Sequence, residues 1–153
     1  MEKVKLTMIK KIATLVTTLF SVIFLNTISF AADATVEMLN KQEKEIMVFS
    51  QKIVKINIGD KVFWKATNKG HNVEFIKGGV PEGVEKFKSK YNKDVEFKFD
   101  VPGIYAYWCT PHKSMGMIGF IIVGDDKSNL DAIKAIRYSG KSKKIAPDLI
   151  NSL

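Results

Sequence analysis

From Thr35 to Val123 the chain sets apolar residues at alternate positions, in short runs broken by Gly, Pro, Asn and Asp. That period of two marks half-buried strands joined by tight turns. Val54, Ile56 and Ile58 alternate with Lys55 and Asn57 before Gly59-Asp60, and Val62 and Trp64 resume the inward series. Val95, Phe97 and Phe99 alternate with Glu96 and Lys98 before the turn Asp100-Val101-Pro102-Gly103. Ile104 to Trp108 and Ile118 to Val123 read as two more strands flanking a polar loop. Many short strands at this spacing predict an all-β sandwich or barrel. Glu82 to Lys90 is lysine-rich and lacks the alternation, so a loop with a short helical turn is expected there. After Gly124 the period changes. Leu130, Ile133 and Ile136 stand three apart, which predicts a helix from about Asn129 to Tyr138, capped by Ser128 or Asn129 and stopped at Gly140. A second, shorter helix is expected around Pro147-Asp148-Leu149.

The first residues follow another rule. Lys3, Lys5, Lys10 and Lys11 precede an apolar run from Ile12 to Leu25 that ends near Ser29-Phe30-Ala31. This is the layout of a secretory signal peptide cleaved before Ala32. The run is short and interrupted by Thr and Ser, which disfavours a retained membrane span. Met1 and Met8 both fit as starts, because Met8-Ile9-Lys10-Lys11 is itself a charged opening. Loss of residues 1–31 would leave 122 residues, enough for one domain around one core. Within it, residues 32–124 are expected to form the β-sandwich and 125–153 a helical extension packed on the same domain.

Charge narrows the class of partner. The full chain carries +8, and because residues 1–31 hold four lysines and one glutamate, the remainder has 20 basic and 15 acidic residues, a net of +5. An acidic protein partner suits this balance. Nucleic acid does not, since Arg137 is the only arginine and no Arg-rich tract is present.

Cys109 is the single cysteine, and in an oxidising compartment an unprotected thiol is oxidised or cross-linked. It is therefore either a buried small hydrophobe or a metal ligand. The chain has two histidines, His71 and His112, and the second lies in the series Cys109-x2-His112-x4-Met117. Singly, each of these residues has an ordinary reading as core, loop packing or surface. Jointly they offer two imidazoles, a thiolate and a thioether, with His71 standing 38 residues before Cys109. His2Cys in a plane with a weak axial Met is the blue-copper set. Zinc would use three of the ligands and gain little from the thioether. A copper storage or delivery protein could use the same four residues. A Cys-His hydrolase is disfavoured, because His112 sits three residues from Cys109 in one loop and no oxyanion-hole motif or third orienting residue is evident.

Gly70-His71-Asn72-Val73-Glu74, together with Cys109-Thr110-Pro111-His112-Lys113-Ser114-Met115-Gly116-Met117, resembles the pseudoazurins, a family of bacterial cupredoxins. The likeness extends through Val36 to Lys41, Glu85 to Lys90 and the helical tail, while the Cys-His-Met spacing alone also matches plastocyanins. The resemblance implies an eight-stranded Greek-key sandwich holding one type 1 copper through His71, Cys109, His112 and Met117. It implies a soluble, monomeric, periplasmic electron carrier with no enzymatic activity, donating to a copper nitrite reductase or a similar respiratory reductase. It also gives Asn72 the task of tying the histidine loop to the cysteine loop, and places Lys41, Lys69, Lys88 and Lys90 in a basic ring around the His112 edge that docks acidic partners. Trp108 departs from the family pattern, where a lysine is common, and bears on that docking surface.

Overall fold

The computed structural model of the chain describes residues 33–153, so the leader expected over 1–31 lies outside the described residues. Strands come first: β1 (Ala34–Gln42), β2 (Glu45–Phe49), β3 (Ile53–Ile56), β4 (Lys61–Lys65), β5 (Glu74–Phe75), β6 (Val95–Lys98), β7 (Gly103–Trp108) and β8 (Ile118–Val123). A 3-10 turn over Thr110–Met115 separates β7 from β8, and the helices α1 (Leu130–Lys134) and α2 (Gly140–Asn151) follow. Two four-stranded sheets form, in the orders β2-β1-β4-β6 and β3-β8-β7-β5. Because the chain passes repeatedly from one sheet to the other, β1 meets β4 and β3 meets β8 in parallel while the other pairs are antiparallel. This is the Greek-key sandwich with C-terminal helices that the sequence implies.

The inward faces close on each other through large apolar and aromatic side chains. Val36, Met38, Val62 and Trp64 from one sheet meet Tyr105, Tyr107, Ile121 and Val123 from the other, and none is more than 1% exposed. Trp64 and Tyr107 pack edge to face, with centroids 5.4 Å apart at 77°. Full burial of side chains this large contributes about 1.5–3 kcal/mol each. Tyr107 also explains Gly119 on the neighbouring strand, since any Cβ there would strike its ring. The second sheet is covered on its outer face as well. Ile118, Phe120 and Ile122 of β8 and Ile104 and Ala106 of β7 pack against Ile133 of α1 and Ala146 and Ile150 of α2. Double burial is why Ile118–Val123 reads as an unbroken apolar run rather than an alternation.

Four local expectations are corrected. Ile58 does not continue the inward series but stands 56% exposed in the turn before β4. Pro81 to Lys90 makes turns and a single bridge from Lys88 to Glu74, with no helical turn. The helix lengths are reversed, with α1 shorter than α2, and Gly140 opens α2 instead of ending α1. Its φ of +56° suits glycine, and a Cβ at this position would collide with the Ser114 carbonyl. Asn129 stands at the N-cap of α1, but its side chain makes no cap bond. Instead its Oδ1 accepts from the Ile104 N–H at 2.9 Å and its Nδ2 donates to the Ile104 carbonyl at 2.8 Å, which clamps the helix start to β7.

Candidate metal centre

Two segments bring chemistry to one end of the sandwich. The first follows β4, where Asn68-Lys69-Gly70 turns the chain so that His71 enters the interior with 0% exposure. Gly70 has φ +93°, and a Cβ there would sit 3.9 Å from the His112 ring. The amide of Asn92 donates to the His71 carbonyl at 3.0 Å, and the Asn92 side chain accepts from the Gly70 N–H. The second segment is the turn between β7 and β8. Its backbone closes on itself, with Cys109 N–H to Met117 O at 3.0 Å, His112 N–H to Cys109 O at 3.0 Å and Met117 N–H to His112 O at 3.3 Å. Pro111 fits the first positions of a helical turn, where no N–H is needed, and Gly116 ends it at φ +101°.

The side chains converge. Cys109 Sγ lies 3.6 Å from His71 Nδ1 and 3.5 Å from His112 Nδ1, and the two Nδ1 atoms are 3.1 Å apart. Three donors held about 2.0–2.3 Å from a common centre in one plane stand roughly 3.5 Å from each other, so this spacing fits a trigonal metal. Cys109 and Met117 are both wholly buried at the same end of the core. Among the described residues no other set of three His, Cys, Asp or Glu groups gathers in this way.

Hydrogen bonds outside the donor set fix its orientation. Nε2 of His71 meets Asn40 Oδ1 at 2.8 Å. A side-chain carbonyl only accepts, so Nε2 carries the proton and Nδ1 presents its lone pair to the centre. Asn72 joins the two segments as expected, its Nδ2 donating to Thr110 Oγ1 at 2.9 Å while its Oδ1 accepts from the Thr110 N–H at 2.8 Å. Glu74, Thr110 and Trp108 form a further cluster beside it. The pattern of residues assigned no role to Asn40 or Glu74. Both lie inside segments that resemble the family, but only their cross-chain distances disclose what they hold.

Burial governs the electrostatics. Desolvation pushes His71 down to about 4, helped by the neighbouring charge of His112, and lowers His112 as well. Both imidazoles are therefore neutral and ready to coordinate at neutral pH. Burial raises the Cys109 thiol, opposed by the backbone N–H groups of Asn72 and His112 that face its sulfur. A bound cation would reverse that balance and favour the thiolate.

Lys41, Lys69 and Lys90 are exposed, each adjacent in sequence to a residue bonded into the histidine segment: Asn40, Gly70 and Ser89. Lys88 instead pairs with Glu74 at 3.3 Å. Trp108 is partly buried, and Lys113 supplies a charge over its ring, 4.7 Å from the centroid.

The copper-binding plastocyanin/azurin family matches residues 36–124. Pseudoazurin from Paracoccus pantotrophus is 46% identical over 115 residues, covering 75% of this chain and 79% of that protein. The chain belongs to the pseudoazurins. The solved pseudoazurin of Methylobacterium extorquens AM1 superposes with a TM-score of 0.76 at 36% identity, over 79% of this chain and 98% of the other. That of Hyphomicrobium denitrificans gives 0.75 at 37% identity, over 80% and 98%. As a pseudoazurin, the protein is a copper electron carrier serving redox partners and not an enzyme. Among the described residues no helix is long and apolar enough to cross a membrane.

Proposed function

We propose that His71, Cys109, His112 and Met117 are the four ligands of a single type 1 copper in this pseudoazurin. We further propose that the mature chain ferries single electrons in the periplasm to a copper nitrite reductase or similar respiratory reductase. The observation that carries the ligand assignment is the spacing of the three donor atoms, 3.1 to 3.6 Å apart. Bound copper supplies a one-electron Cu(II)/Cu(I) couple, which imidazole and sulfur donors together accommodate. The chain's own part is to hold the donors still. Asn40 fixes the His71 tautomer, Asn72 locks the two segments together, and Met117 is buried, where its thioether can act as a weak axial ligand.

Export rests on the leader pattern of residues 1–31. Docking by the lysine ring rests on the position of Lys41, Lys69, Lys88 and Lys90 around the histidine segment and on the surface near His112. Electrostatic complementarity of this sort accelerates encounter with an acidic partner. The protein needs no second copy for its site, in keeping with a monomer.

The decisive experiment is a visible spectrum of the copper-loaded mature chain. An intense blue or blue-green thiolate-to-Cu(II) band is expected, and Cys109→Ser should abolish it. A colourless copper complex of the intact protein would defeat the ligand assignment.

A further inference from the structure

We propose that Glu74 is a positioning residue for the copper site, its carboxylate fixing the Cys109 turn and the Asn72 amide and thereby setting the redox balance of the centre. The proposal rests on the ligand assignment above, but the contacts that carry it lie outside the donor set. Glu74 belongs to β5, and its Oε2 alone gathers three donors. These are the Thr110 hydroxyl at 2.6 Å, the Trp108 indole N–H at 3.2 Å and the Lys88 ammonium at 3.3 Å.

An ionised carboxylate can only accept, so the single hydroxyl hydrogen of Thr110 is committed to Glu74. The lone pairs of Thr110 Oγ1 then face Asn72, and only the NH2 end of that amide can meet them, at 2.9 Å. Asn72 Oδ1 is left to accept from the Thr110 N–H at 2.8 Å. The Thr110 N–H and the hydroxyl committed to Glu74 thus demand the same orientation of the Asn72 amide, and Glu74 leaves the Asn72 NH2 an acceptor to meet. Asn72 directly follows His71 and Thr110 directly follows Cys109, so the relay is anchored beside a donor at either end.

Glu74 reaches the ligand turn by a second route. The Trp108 indole that it holds lies under Lys113, and the Lys113 carbonyl accepts from Ser142 Oγ of α2. With its side chain 27% exposed, Glu74 also places negative charge near the centre in a partly dry setting. That charge favours the more positive, oxidised state.

The test compares Glu74→Ala, Glu74→Gln and Thr110→Val in the full mature protein, by amide hydrogen exchange with and without copper and by redox titration. Glu74→Ala should speed exchange of the Thr110 amide at least tenfold, leave Ile121 in the core unchanged, and shift the Cu(II)/Cu(I) equilibrium several-fold toward reduction. Glu74→Gln keeps an acceptor oxygen but not the charge. It should therefore change exchange less while keeping most of the redox shift. Combining Glu74→Ala with Thr110→Val should add little to the Thr110 exchange change of Glu74→Ala alone, because both cut the same relay. Unchanged Thr110 exchange and redox balance in Glu74→Ala, or fully additive exchange effects in the double variant, would overturn the proposal. Should the wild type show no reversible copper couple, the ligand assignment and the redox role fall together. The exchange measurement on the metal-free protein would then decide by itself whether Glu74 holds the turn.

Discussion

His71 and His112 offer the same atom to the same centre from opposite circumstances. His71 has no exposed surface, and its far nitrogen is tied to Asn40 on β1. His112 is half-buried, belongs to the 3-10 turn, and its ring lies edge to face with His71, centroids 4.9 Å apart. One imidazole is held by the scaffold, while the other reaches the surface on a self-bonded turn. The contrast shows how a carrier combines a rigid site with an accessible edge: rigidity comes from the buried His71 and its tie to β1, and access from His112.

Acid should expose the contrast most strongly. In the metal-free protein the folded His71 titrates near 4, below the ordinary 6.5. Between those values the unfolded chain binds a proton that the folded chain refuses, so stability is full above about pH 6.5 and falls as pH drops toward 4. The loss attributable to His71 is about 3 kcal/mol at 1.36 kcal/mol per unit, and His112, shifted the same way, adds to it. Urea unfolding of the metal-free protein at pH 7 and pH 4.5 measures this. His71→Gln should flatten the dependence more than His112→Gln, and equal slopes would erase the distinction between the two rings.

Next in size is the loss of the Asn40 anchor, which lies on β1. Asn40→Ala leaves the His71 N–H without its acceptor, and loss of a partner that orients a metal ligand costs 10–100-fold in affinity. Competition with a copper chelator gives the number. Pro111→Ala, on the exposed part of the ligand turn, should change affinity far less, and a reversal of that order would place the rigidity on the wrong side.

The smallest effect concerns the accessible edge. Lys69→Glu combined with Lys88→Glu should slow reduction of an acidic partner at low salt, and the difference should fade as salt rises past about 0.1 M, where screening acts over roughly 10 Å. Lys55 offers a control. It pairs with Ile122, near the end of β8 remote from the ligand turn, and six residues of strand span about 20 Å. Lys55→Glu should therefore leave the rate nearly unchanged in stopped-flow mixing. A rate indifferent to salt and to all three lysines would shift docking to the apolar surface near Met115 and Pro111.

The donor set was legible because its residue types are scarce. Two histidines and one cysteine in the whole chain leave few combinations, and the short Cys-to-Met spacing forces three of the donors into one turn. Strands with one wet face were legible for a related reason, as in β4, where Val62 and Trp64 alternate with outward neighbours. What pattern could not supply was contact across the chain. Asn40 meets His71 over 31 positions and Glu74 meets Thr110 over 36, and no local period encodes such pairs. The helix lengths are not legible in the sequence, because Gly140 reads as a stop, whereas the ligand turn beside it excludes a Cβ and makes glycine the first residue of α2.

That last contact ties two moments of synthesis together. Ser142 bonds the Lys113 carbonyl and Gly140 abuts Ser114, so the turn that carries His112 is braced by residues the ribosome adds well after it. A nascent chain that ends before α2 has Cys109 and both histidines but lacks the wall against which the His112 turn rests. The finished geometry of the turn draws on the last helix of the chain as well as on the two strands that flank it.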